Sequence, residues 1–210
     1  MCAGSDCGLK KLLHAAGRDT EANRKQRAEF LERILATPPE RLIYLDESGV
    51  TTQMTRRYAR TAGGARIHEA TPEGNWKILT ILGAMSLRGM IATMTIEEAT
   101  DADIFLAYLD QVLCPALKQG DVVVMDNFSS HKVNGVCERI EATGAEVLYL
   151  PPNSPDLNPV EKAWSKAKQL LRAAKARTKQ ALDQAITELL PLITQENTEA
   201  CFRLRLGTLQ

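Results

Sequence analysis

Three acids stand where the chain could use them together: Asp46, Asp126 and Glu161. Asp126 follows Val122-Val123-Val124-Met125, a continuous apolar run that reads as a buried strand ending on a carboxylate. Asp46 closes a second apolar run, Leu42-Ile43-Tyr44-Leu45. Glu161 falls in the first turn of a helix opened by Asn158-Pro159, after a proline-rich loop. If the two strands are adjacent and parallel, both aspartates meet at one sheet edge, where ligand sites of α/β proteins form. Three carboxylates at one point repel unless a cation joins them. Mg²⁺ takes oxygen ligands, often a few carboxylates plus phosphate oxygens. Two such ions can activate a water or hydroxyl and stabilise the leaving oxygen in phosphodiester cleavage. Plainer readings exist for each acid: Asn158-Pro159-Val160-Glu161 fits a capping box, and the aspartates could simply end strands.

The elements that would position these acids follow from periodicity and breakers. Residues 20–37 have one apolar face, with Ala28, Phe30, Leu31, Ile34 and Leu35, and Pro38-Pro39 ends that helix. Strands are predicted over 41–46, where Gly49 then marks a turn, and over 76–86. Leu87-Arg88-Gly89 turns the chain into an antiparallel strand over 90–96. An amphipathic helix over 101–117 is stopped by Gly120 and followed by the strand ending at Asp126. A helix over 133–143, a strand over 146–150 and three further helices, from 158, over 178–190 and over 196–206, complete the chain. Alternating one residue at a time, Asp46 and Glu47 point to opposite faces of their strand. The whole is an α/β pattern: a mixed sheet of five strands with helices on both faces.

Composition narrows the class. The chain has 210 residues, 44% apolar and 25% charged, as in an ordinary globular protein. It contains no apolar run of about 18 residues and no signal-peptide core, so a cytoplasmic protein without a membrane partner is expected. Cysteines 2, 7, 114, 137 and 201 lack the C-x-x-C spacing of a zinc site or a disulfide framework. Net charge is zero, but it is segregated. Arg56, Arg57, Arg60 and Arg66 lie in an acid-free stretch, as do Lys162, Lys166, Lys168, Arg172, Lys175, Arg177 and Lys179. Such blocks are either solvated faces or a polyanion surface. Lys168, Arg172, Lys175 and Lys179 stack on one helix side, opposite Val160, Ala163, Trp164, Ala167, Leu170 and Leu171.

Three ordered motifs add a resemblance. Leu45-Asp46-Glu47-Ser48-Gly49, Val124-Met125-Asp126-Asn127-Phe128-Ser129-Ser130-His131-Lys132 and Leu150-Pro151-Pro152-Asn153-Ser154-Pro155-Asp156-Leu157-Asn158-Pro159-Val160-Glu161 together resemble the Tc/mariner-like transposases, of the bacterial insertion-sequence 630 type. The resemblance implies an RNase H-like fold and a DDE triad of Asp46, Asp126 and Glu161, binding Mg²⁺ or Mn²⁺. The 34 residues between Asp126 and Glu161 are a spacing typical of that family. It implies cleavage of DNA to free a 3′-hydroxyl, which then attacks a TA target. Asn127 and His131 are candidates to support the triad, with His131 orienting a phosphate or water or merely capping a helix. Arg56, Arg57, Arg60, Lys162, Lys166, Lys168, Arg172 and Lys175 are the candidate DNA contacts. Transposon ends, a homodimer partner and a separate helix-turn-helix polypeptide would be the partners, with the protein at the bacterial nucleoid. Fewer than fifty residues precede Asp46, so residues 1–38 read as a helical lead-in and 39–210 as the catalytic domain, without the usual N-terminal helix-turn-helix. Asn153 stands where tyrosine is common in the family, which bears on loop packing. The alternative is a catalytically silent remnant that binds DNA and regulates a full-length enzyme.

Overall fold

The computed structural model describes residues 19–206, except 57, 59–62, 64–65, 72–73, 75 and 98–99. Helix α1 (Glu21–Ala36) starts at Thr20, whose hydroxyl accepts from the Asn23 N–H. Then come β1 (Leu42–Thr51), β2 (Ile78–Ser86), β3 (Gly89–Ile96), α2 (Ala102–Tyr108), β4 (Val122–Met125), α3 (Val136–Glu141), β5 (Glu146–Tyr149), α4 (Val160–Ala174), α5 (Lys179–Leu189) and α6 (Gln195–Leu206). One mixed sheet of five strands has the order β3-β2-β1-β4-β5, with β1–β2–β3 antiparallel and β1–β4–β5 parallel.

Side-chain alternation splits the core into two layers. Leu42, Tyr44, Ile81, Val122 and Val124 belong to one, with Phe30 and Ile34 of α1, Trp164 and Leu171 of α4, Ile186 of α5 and Phe202 of α6. Ile43, Leu45, Leu82, Val123 and Met125 belong to the other, with Phe105, Tyr108 and Ile140. A sheet with both faces covered needs the continuous apolar runs seen in β1 and β4.

Several boundaries differ from the sequence expectation. β1 does not end at Asp46 and Gly49 is not a turn: Asp46 pairs with Gly83 and Gly49 with Thr80. β2 pairs with β1 from Tyr44 through Thr51, whereas the parallel ladder with β4 stops at Tyr44–Val124. The helix expected over 101–117 is α-helical only to Tyr108 and continues as a π turn over Leu109–Leu113 and a 3-10 turn over Cys114–Ala116. Pro115 has no N–H to extend the α ladder. The helix expected over 133–143 is shortened to α3, begun at Gly135 with φ 96°, and a separate 3-10 turn over Ser129–Lys132 precedes it. Leu35, placed on the apolar face of α1, is 63% exposed, because the core takes Phe30 and Ile34, with Leu31 packed at its margin.

Candidate active site

Leu42, Ile43 and Tyr44 of β1 face Val122, Val123 and Val124 of β4. The constant offset of 80, carried two residues further, sets Asp46 level with Asp126. Asp46 continues the alternation of Tyr44, on the sheet face that α4 covers, and Asp126 follows the last residue of β4. Glu161 enters from the exposed first turn of α4. The three acids line one cleft of about 490 Å³, together with Asn127, Phe128, Asn158 and the loop from Leu150 to Pro155.

Asp46 accepts the Glu47 N–H at Oδ1 (2.8 Å) and the Asn158 Nδ2 at Oδ2 (3.1 Å). Asn158 Oδ1 in turn accepts the Val160 N–H at 3.3 Å, so one side chain ties β1 to the start of α4. Asn158 was legible only as a helix start; its grip on Asp46 had no local signal. Burial, and then the charges of Glu161 and Asp126, push the Asp46 carboxyl up to about 7, although the Glu47 N–H and His131 oppose them.

His131 is 1% exposed. Its Nδ1 lies 2.6 Å from Asp126 Oδ1 and its Nε2 lies 3.4 Å from Glu47 Oε1. Neither nitrogen meets hydrogen-bond angles, so the contacts are best described as ion pairs. Burial alone would lower the imidazole pKa; the two carboxylates reverse this and push it up to about 9. His131 therefore touches carboxylates, and its burial keeps it from a phosphate. The missing partner was Glu47, whose opposite parity to Asp46 sends it to the His131 side of β1. Asn127 donates its Nδ2 to the Leu150 carbonyl, tying the tip of β4 to the end of β5.

The loop that delivers Glu161 is braced from far away. Arg27 of α1 donates to Asp156 Oδ1 and Oδ2 (3.1 and 2.7 Å) and to Ser154 Oγ (2.6 Å). Asn153 adopts φ 55°, a left-handed backbone that asparagine tolerates better than tyrosine.

The basic candidates separate. Lys162 is exposed, while Arg56 and Arg172 line a common groove beside Tyr58. Lys166 donates to Asn197 of α6, Lys175 pairs with Glu69 at 2.7 Å, and Lys179 pairs with Glu97. Arg177 donates to the Thr52 and Met54 carbonyls. The row expected from Lys168 to Lys179 is broken because α4 ends at Lys175, in a left-handed conformation with φ 53°. Arg57 and Arg60 lie outside the described residues.

Hard oxygen donors in a cleft where burial, and then neighbouring acids, push one carboxyl up suit a divalent cation. As the side chains stand, no three His, Cys, Asp or Glu among the described residues form a ready ligand set. Exposed Glu161 would have to turn inward. The pH dependence gives a test. Asp46 binds its proton more tightly folded than unfolded, so its contribution is full below about pH 4 and is lost as pH rises through about 7. His131 acts in the same direction, its contribution lost as pH rises through about 9. A cation that binds only the folded site replaces the proton. Mg²⁺ or Mn²⁺ at about a hundred times its Kd should raise Tm by roughly 5–10 °C at pH 8 and by much less at pH 5. Asp126→Ala should abolish that gain; equal shifts in both proteins would exclude a metal site at these acids.

The sheet order and two-sided layering are those of an RNase H-like domain. Residues 41–183 match the family described as DDE superfamily endonuclease, and the chain belongs to that family. The fold is similar to the Mos1 transposase paired-end complex with left transposon end, with TM-score 0.74, 18% identity and coverage of 95% of this chain and 64% of that one. The Mos1 mariner paired end complex with Mn aligns with TM-score 0.75, 17% identity and coverage of 96% and 65%. The catalytic domain of Mos1 mariner transposase aligns with TM-score 0.66, 16% identity and coverage of 90% and 92%. The chain thus spans just under two thirds of the Mos1 chains in the DNA complexes. No curated protein sequence matches it. No helix among the described residues is long and apolar enough to cross a membrane.

Proposed function

We propose that the chain is the catalytic part of a Tc/mariner-like transposase of the insertion-sequence 630 type, cutting DNA phosphodiesters and joining the freed 3′-hydroxyl to a TA target. The observation that carries this reading is the single cleft lined by Asp46 of β1, Asp126 just past the end of the adjacent parallel β4, and Glu161 of α4. Asp46, Asp126 and Glu161 would hold Mg²⁺ or Mn²⁺, which supplies Lewis-acid stabilisation of the attacking and leaving oxygens. Asn158 fixes the Asp46 carboxylate by donating its Nδ2–H to Oδ2, and its own Oδ1 accepts the Val160 N–H at the start of the helix that carries Glu161. His131, held between Asp126 and Glu47, fixes the direction of Asp126 from the opposite side of the sheet and offsets part of the charge of the acids. The reading takes residues 39–210 as the catalytic domain and 1–38 as its lead-in, with transposon ends, a second copy and a separate helix-turn-helix polypeptide as partners. Supercoiled plasmid should be nicked in Mn²⁺ or Mg²⁺ and left intact in EDTA. The lack of a ready ligand set favours, as a second reading, a silent remnant that binds DNA. DNA binding without any metal-dependent nicking would establish it.

Lys162, Lys168 and Arg172 of α4, with Arg56, form the basic surface in this reading. Such residues neutralise backbone phosphates without reading bases, each adding roughly 0.9 to the log–log salt slope for duplex DNA. Lys168→Ala with Arg172→Ala should weaken binding about equally across sequences and flatten the slope by roughly one to two. Neither residue belongs to the buried row of α4, so the fold should persist. An unchanged slope would make this a solvated helix face.

A further inference from the structure

Phe128 is 67% exposed, yet it lines the same cleft as Asp46, Asp126 and Glu161. Tyr58 and Trp76 are also exposed, at 90% and 50%, but neither lines this cleft. A lone exposed apolar ring is ordinary; one beside an acid cluster calls for a reason. Its place is fixed by Asp126 itself, whose Oδ1 accepts the Phe128 N–H at 3.1 Å. Beneath it the ring meets His131 edge-on, with centroids 6.4 Å apart. His131 in turn lies 4.4 Å from Phe105, which is fully buried. Three rings thus climb from the core to the surface, and the outer face of Phe128 is left to solvent.

The rest of the cleft is divided in the same way. Asp46, Asp126 and Glu161 make one part polar and anionic, while Leu150, Pro151 and Pro152, with Phe128, add apolar wall to the same cleft. Phosphodiester chemistry needs the acids and has no use for an apolar wall. A nucleotide supplies both halves: a phosphate for cations held by the acids, and a flat base with an apolar face. Base–aromatic stacking accepts any base, because each has a π-face. A base in duplex DNA can reach the cleft floor only when it leaves the helical stack.

We infer that Phe128 is the platform on which the base next to the scissile phosphodiester rests, unstacked from the DNA and packed toward Pro151 and Pro152. This inference rests on the DNA-cleavage reading above. It makes Phe128 a positioning residue that holds the strand in register with the acids.

The test uses the whole chain with Mg²⁺ and a 20-nucleotide duplex carrying 5-iododeoxyuridine in place of thymidine, irradiated to crosslink aromatic side chains stacked on the base. Mass spectrometry should find the adduct on Phe128. Cleavage positions are mapped on the same duplex, and an abasic nucleotide is then placed beside the cut. Phe128→Leu should lose the adduct and cleave ordinary DNA on the order of tenfold more slowly. It should match the unchanged protein on the abasic duplex, where no base is left to stack. Phe128→Tyr and Phe128→Trp should retain both adduct and rate. Metal-dependent cleavage with adducts only on other residues would overturn the inference and leave the reading standing. So would equal slowing on ordinary and abasic DNA, which a merely structural role produces. No cleavage and no adduct anywhere would overturn both.

Discussion

Asp46→Ala, Asp126→Ala and Glu161→Ala should each cut metal-dependent plasmid nicking by about 10³-fold or more. A metal clamp held by these acids would contribute several kcal/mol to stabilising the transition state, and each 1.36 kcal/mol is tenfold in rate. The three substitutions should differ in stability, and that difference guards against mistaking misfolding for lost chemistry. Asp46→Ala removes a carboxylate that burial and its neighbours disfavour, so without metal at pH 8 it should melt no lower than the unchanged protein. Asp126→Ala leaves buried His131 with Glu47 as its carboxylate partner and should lower Tm. Asp126→Asn keeps the shape and an oxygen for the Phe128 N–H, so it isolates the loss of charge. Glu161→Gln, on an exposed turn, should leave Tm unchanged while removing activity. Nicking by Asp126→Asn at the rate of the unchanged protein would end the triad assignment.

Trp164→Ala should destabilise the fold by about 3–5 kcal/mol, as large-to-small changes of buried aromatics do. Trp164 is 3% exposed and packs straight onto β2. It can do so because residue 83 is glycine: a Cβ there would lie 2.6 Å from Trp164 Cη2 and 2.9 Å from Met90 Cε. Gly83 is also the partner of Asp46 across the β1–β2 ladder. The indole therefore seats α4, one turn beyond Glu161, directly over the strand pair that bears Asp46. Gly83→Ala should cost about 1–3 kcal/mol through overpacking. Both changes should lower nicking beyond their effect on folded fraction, because they shift Glu161 against Asp46. Trp164→Phe should cost far less, since the buried indole N–H has no hydrogen-bond partner to lose. Denaturant melts that gave Trp164→Ala the stability of the unchanged protein would refute this account of how α4 is seated.

Much of the plan was legible along the chain. The Val122–Met125 run gave a fully buried strand, and four of its residues are buried as expected. Leu87-Arg88-Gly89 was readable as the hairpin turn between β2 and β3, although Gly89 already pairs with Ser86 as the first residue of β3. Of the stripe Val160, Ala163, Trp164, Ala167, Leu170 and Leu171, all but Leu170 form the buried side of α4, and Leu170 is half-buried in the groove with Arg172. These signals are local, since a period of two or 3.6 residues records which face is buried. Parity likewise separated Asp46 from Glu47 before any partner was known.

The sequence by itself determined the types of the elements, the faces they bury and the three acids as candidates for one cleft. Tertiary structure alone decided how far β1 continues past Asp46, because that depends on β2 offering hydrogen bonds through Ile78. It decided that Lys166, Lys175 and Lys179 meet Asn197, Glu69 and Glu97, since a charge pattern does not name its partners. It joined Glu47 to His131 and Arg27 to Asp156, residues 84 and 129 positions apart in the chain. Gly83 read as an ordinary small strand residue until Trp164 was placed above it. Each of these is a meeting of side chains from distant segments, whose geometry is set by how helices seat on the sheet; no period along the chain encodes it.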